Sequence, residues 1–222
     1  MLALAGCSGA FSPMADEAAS PVNARHDPSR VVVPLDPAQI RVEARVRALT
    51  AHTLSIPVMH GTWSAPRGRL DRSLIELTFE LGGATSEPQF VADIAKSPHF
   101  LDTATFPEGR LEAQWLRPNT DEGSNGYDLF FDLELKNRRR HLLAPAELSR
   151  VGCEARLTTA FSIDRREFGI SHPGRYDSIV GDRIEVSVEV SAPTAPFGVP
   201  CAPQSGDLAQ RNPATAILKL PG

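Results

Sequence analysis

The chain has 222 residues, 41% of them hydrophobic, which is enough to bury one substantial core in a single domain. Its 19 prolines and 16 glycines provide for many turns and argue against a helical bundle. The formal net charge of −4, without a long run of one sign in the body of the chain, argues against a nucleic-acid partner.

The N-terminal segment, residues 1–7, ends in the motif Leu-Ala-Gly-Cys, which resembles a bacterial lipobox with Cys7 as the lipidated residue. A secretory signal also needs a basic region and an apolar stretch of about 7–15 residues. Only six residues precede Cys7 here. The motif therefore indicates a truncated lipoprotein signal whose true start codon lies upstream, or it is a chance match.

Residues 8–30 are rich in Ala, Ser, Pro, Asp and Glu and show no hydrophobic period, which is typical of a flexible tether. A serine directly after the lipobox cysteine is typical of sorting to the outer membrane. We therefore expect a periplasmic domain that is lipid-anchored to the outer membrane of a Gram-negative-type envelope. No other segment approaches the apolar length that spans a bilayer.

Alternating apolar and polar residues predict half-buried β-strands through the first half of the folded region. A strand at residues 40–48 is followed by one at residues 54–63, which Pro57 interrupts, so that the second strand is irregular or lies at an edge. The next apolar face consists of Ile75, Leu77, Phe79 and Leu81. Apolar residues at helical spacing then predict one short helix over residues 87–96.

The second half of the folded region shows the same alternation. Its predicted apolar faces are Leu111, Ala113 and Trp115; Tyr127, Leu129, Phe131, Leu133 and Leu135; and segments within residues 142–148, 153–164 and 183–192. About eight strand candidates with one apolar face each predict an all-β fold, either a closed antiparallel barrel or a sandwich. Residues 193–222 are rich in proline and are expected to form a C-terminal tail.

Cys153 and Cys201 are the two cysteines outside the lipobox-like motif. In an exported protein two such cysteines tend to pair, and a bond between them would tie the tail back to the barrel. The alternative is two unrelated thiols, one of them buried on a strand face.

Several short motifs resemble the YceI-like polyisoprenoid-binding family. Residues 161–170 and 181–190 form two alternating strands around an Asp-Arg…Phe-Gly turn, similar to the C-terminal signature of that family. Further similar segments follow the family order: Leu-Asp-Pro-Ala at 35–38, the strand at 70–81, Thr-Ser at 85–86, residues 96–102, and Phe-Pro at 106–107. Together they cover residues 31–192. The sequence departs from the family at 51–63 and at 138–140, where three arginines replace small residues of a hairpin.

The resemblance implies an extended, eight-stranded, antiparallel lipocalin-like barrel with a long internal tunnel and one short helix. Members of the family bind polyisoprenoids or related long-chain amphiphiles and are typically exported to the periplasm. The implied function is non-enzymatic binding or transport of a polyisoprenoid, quinone or similar lipid in the bacterial envelope. The alternative is an envelope structural or interaction module whose barrel is filled.

The inward faces of an eight-stranded barrel either pack against each other or enclose one small ligand. An uncharged interior would suit an alkyl or prenyl chain, which gains about 0.8 kcal/mol for each buried methylene group. Periodicity does not distinguish such a tunnel from a dry, filled core. The predicted tunnel-lining residues are Ile75, Leu77, Phe79, Trp115, Leu129, Phe131, Phe161, Ile184, Val186 and Val188.

Signals for enzymatic chemistry are weak. The sequence has no Gly-x-Ser-x-Gly elbow and no glycine-rich phosphate loop, and its six histidines lack metal-ligand spacing. We therefore expect no catalytic residue, metal or cofactor. Asp164 and Arg165 are interpreted as a strand-end ion pair, with a catalytic role as the alternative. The basic cluster, Lys136 with the three arginines that follow Asn137, is either a solvated hairpin tip or a contact for anionic lipid headgroups.

Overall fold

The computed structural model describes residues 28–48, 50–119, 126–171 and 180–201. Cys7, most of the predicted tether and the end of the predicted tail lie outside these residues, so the predictions made for them stay predictions. The described residues form eleven β-strands, one α-helix and several 3-10 turns.

All eleven strands belong to one antiparallel sheet. Its strand order is β1-β4-β5-β7-β8-β9-β10-β11-β2-β3-β6. The strands are β1 (Arg30–Leu35), β2 (Ile40–Arg47), β3 (Ala51–Ser55), β4 (Val58–Pro66), β5 (Leu74–Glu80), β6 (Thr85–Ser86), β7 (Glu108–Pro118), β8 (Gly126–Leu135), β9 (Arg138–Val151), β10 (Glu154–Asp164) and β11 (Arg183–Pro193). The helix α1 (Gln89–Lys96) lies between β6 and β7 in the chain.

Short connections between the two ends of the strand order curl this sheet into a half-barrel. Only the turn Pro37–Gln39, with Asp36 as its N-cap, separates β1 from β2, although each lies toward a different end of the sheet. The connection from β3 to β4 is shorter still and consists of Ile56 and Pro57. There the Ile56 amide donates to the Val42 carbonyl, and the Glu80 amide donates to the Pro57 carbonyl.

The prediction of an eight-stranded closed barrel was wrong in strand number and in closure. Two prolines account for part of the difference. Pro37 begins a turn that separates β1 from β2, and Pro57, which has no N–H to donate, divides the predicted strand at 54–63 into β3 and β4. The all-β class, the antiparallel pairing and the short helix are as predicted.

Helix α1 is tied to the sheet through Ser86. The Ser86 hydroxyl oxygen accepts a hydrogen bond from the Ala92 amide at 3.0 Å and donates to the Pro88 carbonyl. Ala92 is fully buried in a small cluster with Leu54 and Ala84, which holds the helix over β3. Within the described residues no helix has the length and apolarity that a bilayer-spanning segment requires.

The folded domain continues beyond residue 192. Phe197 is fully buried, with its ring centroid 6.2 Å from that of Trp63, and its carbonyl accepts from the Gly68 amide. Cys153 and Cys201 form a disulfide bond, and the Cys153 carbonyl accepts from the Thr194 amide. The first residues of the predicted tail therefore close one end of the core.

Candidate ligand-binding site

A cavity of about 100 Å³ lies inside the curled sheet, toward the end covered by α1. Its walls come from β2, β3, β5, β7, β8, β10 and β11 and from the chain that follows α1. Every lining residue is apolar, because each of these strands turns the apolar side of its alternating pattern inward. A space with this lining favours hydrocarbon and offers no polar group for catalysis.

Half of the predicted lining residues line this cavity. They are Phe79, Phe161, Ile184, Val186 and Val188. The sequence pattern did not single out the inward residues of β2, although their alternation was recognised, nor Phe100 and Leu101 after the helix. Phe100 and Leu101 lie outside the strands, so no alternating pattern could have assigned them to the interior.

Four other predicted residues are buried but do not line the cavity. Ile75, Leu77, Leu129 and Phe131 are each at most 3% exposed and belong to the filled half of the core, toward Trp63 and Phe197. Alternation identifies the inward face of a strand but not the depth at which packing ends and free space begins.

The prediction that Trp115 lines the tunnel was wrong. A β-bulge shifts the register between β7 and β8, so that Ala113 pairs with Phe131 whereas Trp115 pairs with Phe130. Because Phe130 points away from the core, the Trp115 ring stacks on it at 3.6 Å on the outer face. Leu116 takes the inward position instead and is buried.

An apolar groove of about 970 Å³ opens beside the cavity, between α1 and the ends of β2 and β3. Phe90 and Ile94 of the helix line it and are 58% and 50% exposed. His52, whose Nε2 lies 2.8 Å from the Thr50 hydroxyl, and Asp93 supply polar groups. The groove shares four lining residues with the cavity, namely Val46, Leu54, Ala95 and Phe100, which we call the neck.

Lys136 fixes the position of the neck residue Phe100. Its ammonium group donates to the Phe100 carbonyl at 2.7 Å and to the Gly169 carbonyl at 3.3 Å, and burial lowers its pKa. It also lies 5.9 Å from the centroid of the Phe106 ring. Lys136 therefore joins two loops beside the cavity, whereas Arg138 and Arg139 at the hairpin tip are exposed to solvent, as one of the two interpretations of the cluster expected.

The arginines of the basic cluster also have partners within the chain. Arg139 lies within 3.6 Å of the carboxylates of Glu112, Asp132 and Glu134. Arg140 donates to the Glu167 carbonyl at 2.8 Å, and the guanidinium of Arg138 lies against Gly169. The cluster is consequently bound into the hairpin and its neighbours, which leaves little support for a headgroup-binding patch.

Arg165 is fully buried and holds the loops beside the cavity together. Its guanidinium donates to the carbonyls of Ile170, Val180 and Gly181 and pairs with the Asp182 carboxylate at 3.1 Å. Ile170 lines the cavity and Val180 lines the groove, so Arg165 positions both walls.

The predicted partner of Arg165, Asp164, has a different role. Its carboxylate accepts from the Arg166 amide at 2.9 Å and caps the following turn. The ion pair that fixes this turn region therefore involves Asp182 and not Asp164.

Among the described residues, no group of three or more His, Cys, Asp or Glu side chains is arranged to hold a metal ion. His26 and His172 lie outside those residues. The candidate site is thus an apolar cavity with an apolar groove at its mouth.

Several solved structures are similar to this chain, among them two with TM-scores above 0.5. One is the Burkholderia cenocepacia protein BcnA, with a TM-score of 0.58 and 18% identity over 71% of this chain and 99% of that chain. The other is a polyisoprenoid binding domain from Saccharophagus degradans implicated in plant cell wall breakdown. Its TM-score is 0.55, with 9% identity over 72% of this chain and 97% of that chain. At these identities the likeness shows the fold.

The family comparison extends over most of the chain. No curated protein sequence matches it at a significant level. The YceI-like domain matches residues 34–192, which agrees with the span of the motifs and contains nearly the whole curled sheet. The chain therefore belongs to the YceI-like domain family.

Proposed function

We propose that the protein binds and carries a long-chain apolar molecule, a polyisoprenoid, quinone or similar lipid, without altering it chemically. The observation that carries this proposal is the apolar cavity that adjoins an apolar groove at the neck. The groove lies at the upper end of the range of about 300–1,000 Å³ that is usual for ligand sites, whereas the cavity alone is smaller. A chain with one end in the cavity and the rest along the groove would use both.

The comparisons support this class of ligand. The chain belongs to the YceI-like domain family, and the Saccharophagus degradans structure with the same fold is a polyisoprenoid binding domain. Burial of hydrocarbon provides the driving force, at about 0.8 kcal/mol for each methylene group removed from water. Exposed Phe90 and Ile94 would be covered by such a ligand, which explains two large apolar side chains on the surface.

Narrowing the neck should prevent binding. In the Ala95→Phe variant the new ring would lie between groove and cavity, so we expect the affinity for a prenyl quinone to fall at least about tenfold, a loss of about 1.4 kcal/mol. The measurement is titration of the purified protein with the quinone, followed by native mass spectrometry. The matched control is Ala160→Phe, because Ala160 is exposed on the outer face of β10.

The same binding measurements on the wild-type protein test the proposal itself. If protein purified from bacterial membranes is reproducibly empty on organic extraction and takes up neither quinones nor prenyl lipids, the carrier proposal is wrong. The second candidate, an envelope structural or interaction module, would then be preferred. The observation in its favour is the filled half of the core, where four predicted lining residues pack together.

We further propose that the protein works in the periplasm, held at the outer membrane by a lipid on Cys7. The disulfide between Cys153 and Cys201 supports an oxidising compartment, since such bonds are rare in the cytosol. Several acyl chains on one cysteine would anchor the protein far more firmly than one, which binds only marginally and reversibly.

The anchor has its own test. When the chain is expressed behind a complete lipoprotein signal that ends at Cys7, the protein should partition with membranes, and Cys7→Ser in that longer chain should release soluble or unprocessed protein. Membrane fractionation and the mass of the N-terminal peptide are the measurements. Unchanged partitioning of the variant, with no lipid mass on the parent peptide, would refute the anchor.

A further inference from the structure

The cavity ends at a similar depth on several strands. On β11 the inward residues from Ile184 to Val188 line it, but the next inward residue, Val190, does not. On β8 the cavity ends before Phe131, on β5 before Leu77 and on β7 before Ala113. We call these four non-lining residues, Leu77, Ala113, Phe131 and Val190, the floor.

The floor is closed to solvent. Each of its four side chains is at most 2% exposed. The Phe131 ring, whose centroid lies 4.7 Å from that of the lining residue Phe161, is its largest member. Since protein interiors are packed as densely as organic crystals, such a layer does not yield to an incoming chain without strain.

The structure beneath the floor prevents it from moving away. Trp63 and Phe197 fill that region, and both are fully buried. The Trp63 indole N–H donates to the Ser73 hydroxyl at 2.6 Å, and the disulfide at Cys201 holds the segment that carries Phe197. A ligand chain that reaches the floor therefore meets a supported wall.

We infer that the floor limits the length of hydrocarbon that this protein accepts, so that it selects ligands by chain length. The inference rests on the proposed function and adds the size class of the ligand. A chain that enters from the groove gains apolar contacts until its end meets the floor and the groove is filled, and further length stays in water. Each methylene up to that point should tighten binding about fourfold, and each one beyond it should add little.

The test is a series of quinones that share one headgroup and carry side chains of increasing length. We expect the logarithm of the dissociation constant to fall steeply with length and then become flat at a break point. Phe131→Ala should move the break to longer chains, because it deepens the cavity. Val188→Phe should move it to shorter chains, because the larger side chain fills the cavity next to the floor.

Phe197→Ala is the matched control for Phe131→Ala. It removes an equally buried phenylalanine that is not a floor residue, while Trp63, held by Ser73, still supports the floor from beneath. The variant should therefore lose stability and keep its break point. Thermal unfolding of each variant shows whether it is folded, and Val188→Phe carries the test if Phe131→Ala is not.

The possible outcomes separate this inference from the proposed function. Affinity that rises without a break to the longest homologue, or a break that no folded variant moves, overturns the floor but leaves lipid binding intact. Failure of the wild-type protein to bind any homologue overturns the proposed function, and the floor with it. A break that moves in opposite directions in the two variants supports the inference.

Discussion

Replacement of Arg165 with alanine is expected to lower the free energy of unfolding by about 3–5 kcal/mol. The side chain is fully buried, and three backbone carbonyls would lose a donor at once. Those carbonyls belong to the loops that carry Ile170 and Val180, so lipid binding should weaken as well. Urea denaturation measures the free energy of unfolding of each variant. The dependence of that free energy on urea concentration should be the same in all of them, which shows that the variants unfold alike.

Arg166→Ala provides the matched control, because Arg166 pairs with the same carboxylate, that of Asp182, at 2.8 Å. Its side chain is 55% exposed, and surface ion pairs contribute about 0–1 kcal/mol. The two adjacent arginines should therefore differ by at least about 2 kcal/mol. Equal losses in both variants would show that the buried network around Arg165 does not hold the loops.

Removal of the disulfide should have an effect of similar size. The bond joins residues 48 positions apart, and in the chain-entropy model closing a loop of that length stabilises the folded state by about 4 kcal/mol. We expect the Cys153→Ser, Cys201→Ser double variant to unfold at a correspondingly lower urea concentration. It should also expose Trp63, whose fluorescence would report loosening of Phe197.

The third cysteine supplies the control. Cys7→Ser leaves the disulfide in place and should unfold at the same urea concentration as the parent protein. A thiol reductant added to the parent protein should reproduce the loss of stability seen in the double variant. The same reductant should not change the stability of the double variant. A double variant as stable as its parent would mean that packing of Phe197 alone secures the tail.

Much of the fold could be predicted from the sequence, because strand alternation and family motifs are both local patterns. The inward faces of β8, β10 and β11 follow from the alternation of their apolar residues. The short helix follows from apolar residues that are three or four positions apart instead of two. The division of strands at Pro37 and Pro57 was only partly visible. A proline interrupts the backbone hydrogen bonds of a strand, but the sequence does not reveal which other strands pair with the two halves.

The candidate site was less predictable for three physical reasons. The bulge before Trp115 reverses the side on which later β7 residues lie, and a bulge has no fixed sequence signal. Free volume depends on how side chains from distant strands interlock, so Leu77 and Phe131 resemble Phe79 and Phe161 in sequence although only the latter pair lines the cavity. Phe197 lies in a proline-rich segment without a period, which concealed its place in the core.

The pairing of β2 with β11, together with the disulfide at Cys201, has a consequence for how the chain folds. One edge of β2 pairs with β3, the next strand in the chain, but its other edge finds its partner β11 only after nearly the whole domain has been synthesised. Pairing between distant parts of a sequence slows folding, because the entropy cost of closing a long loop comes before the contact stabilises the structure. A nascent chain would therefore spend its synthesis with this edge of β2 unpaired, in a state that is vulnerable to aggregation.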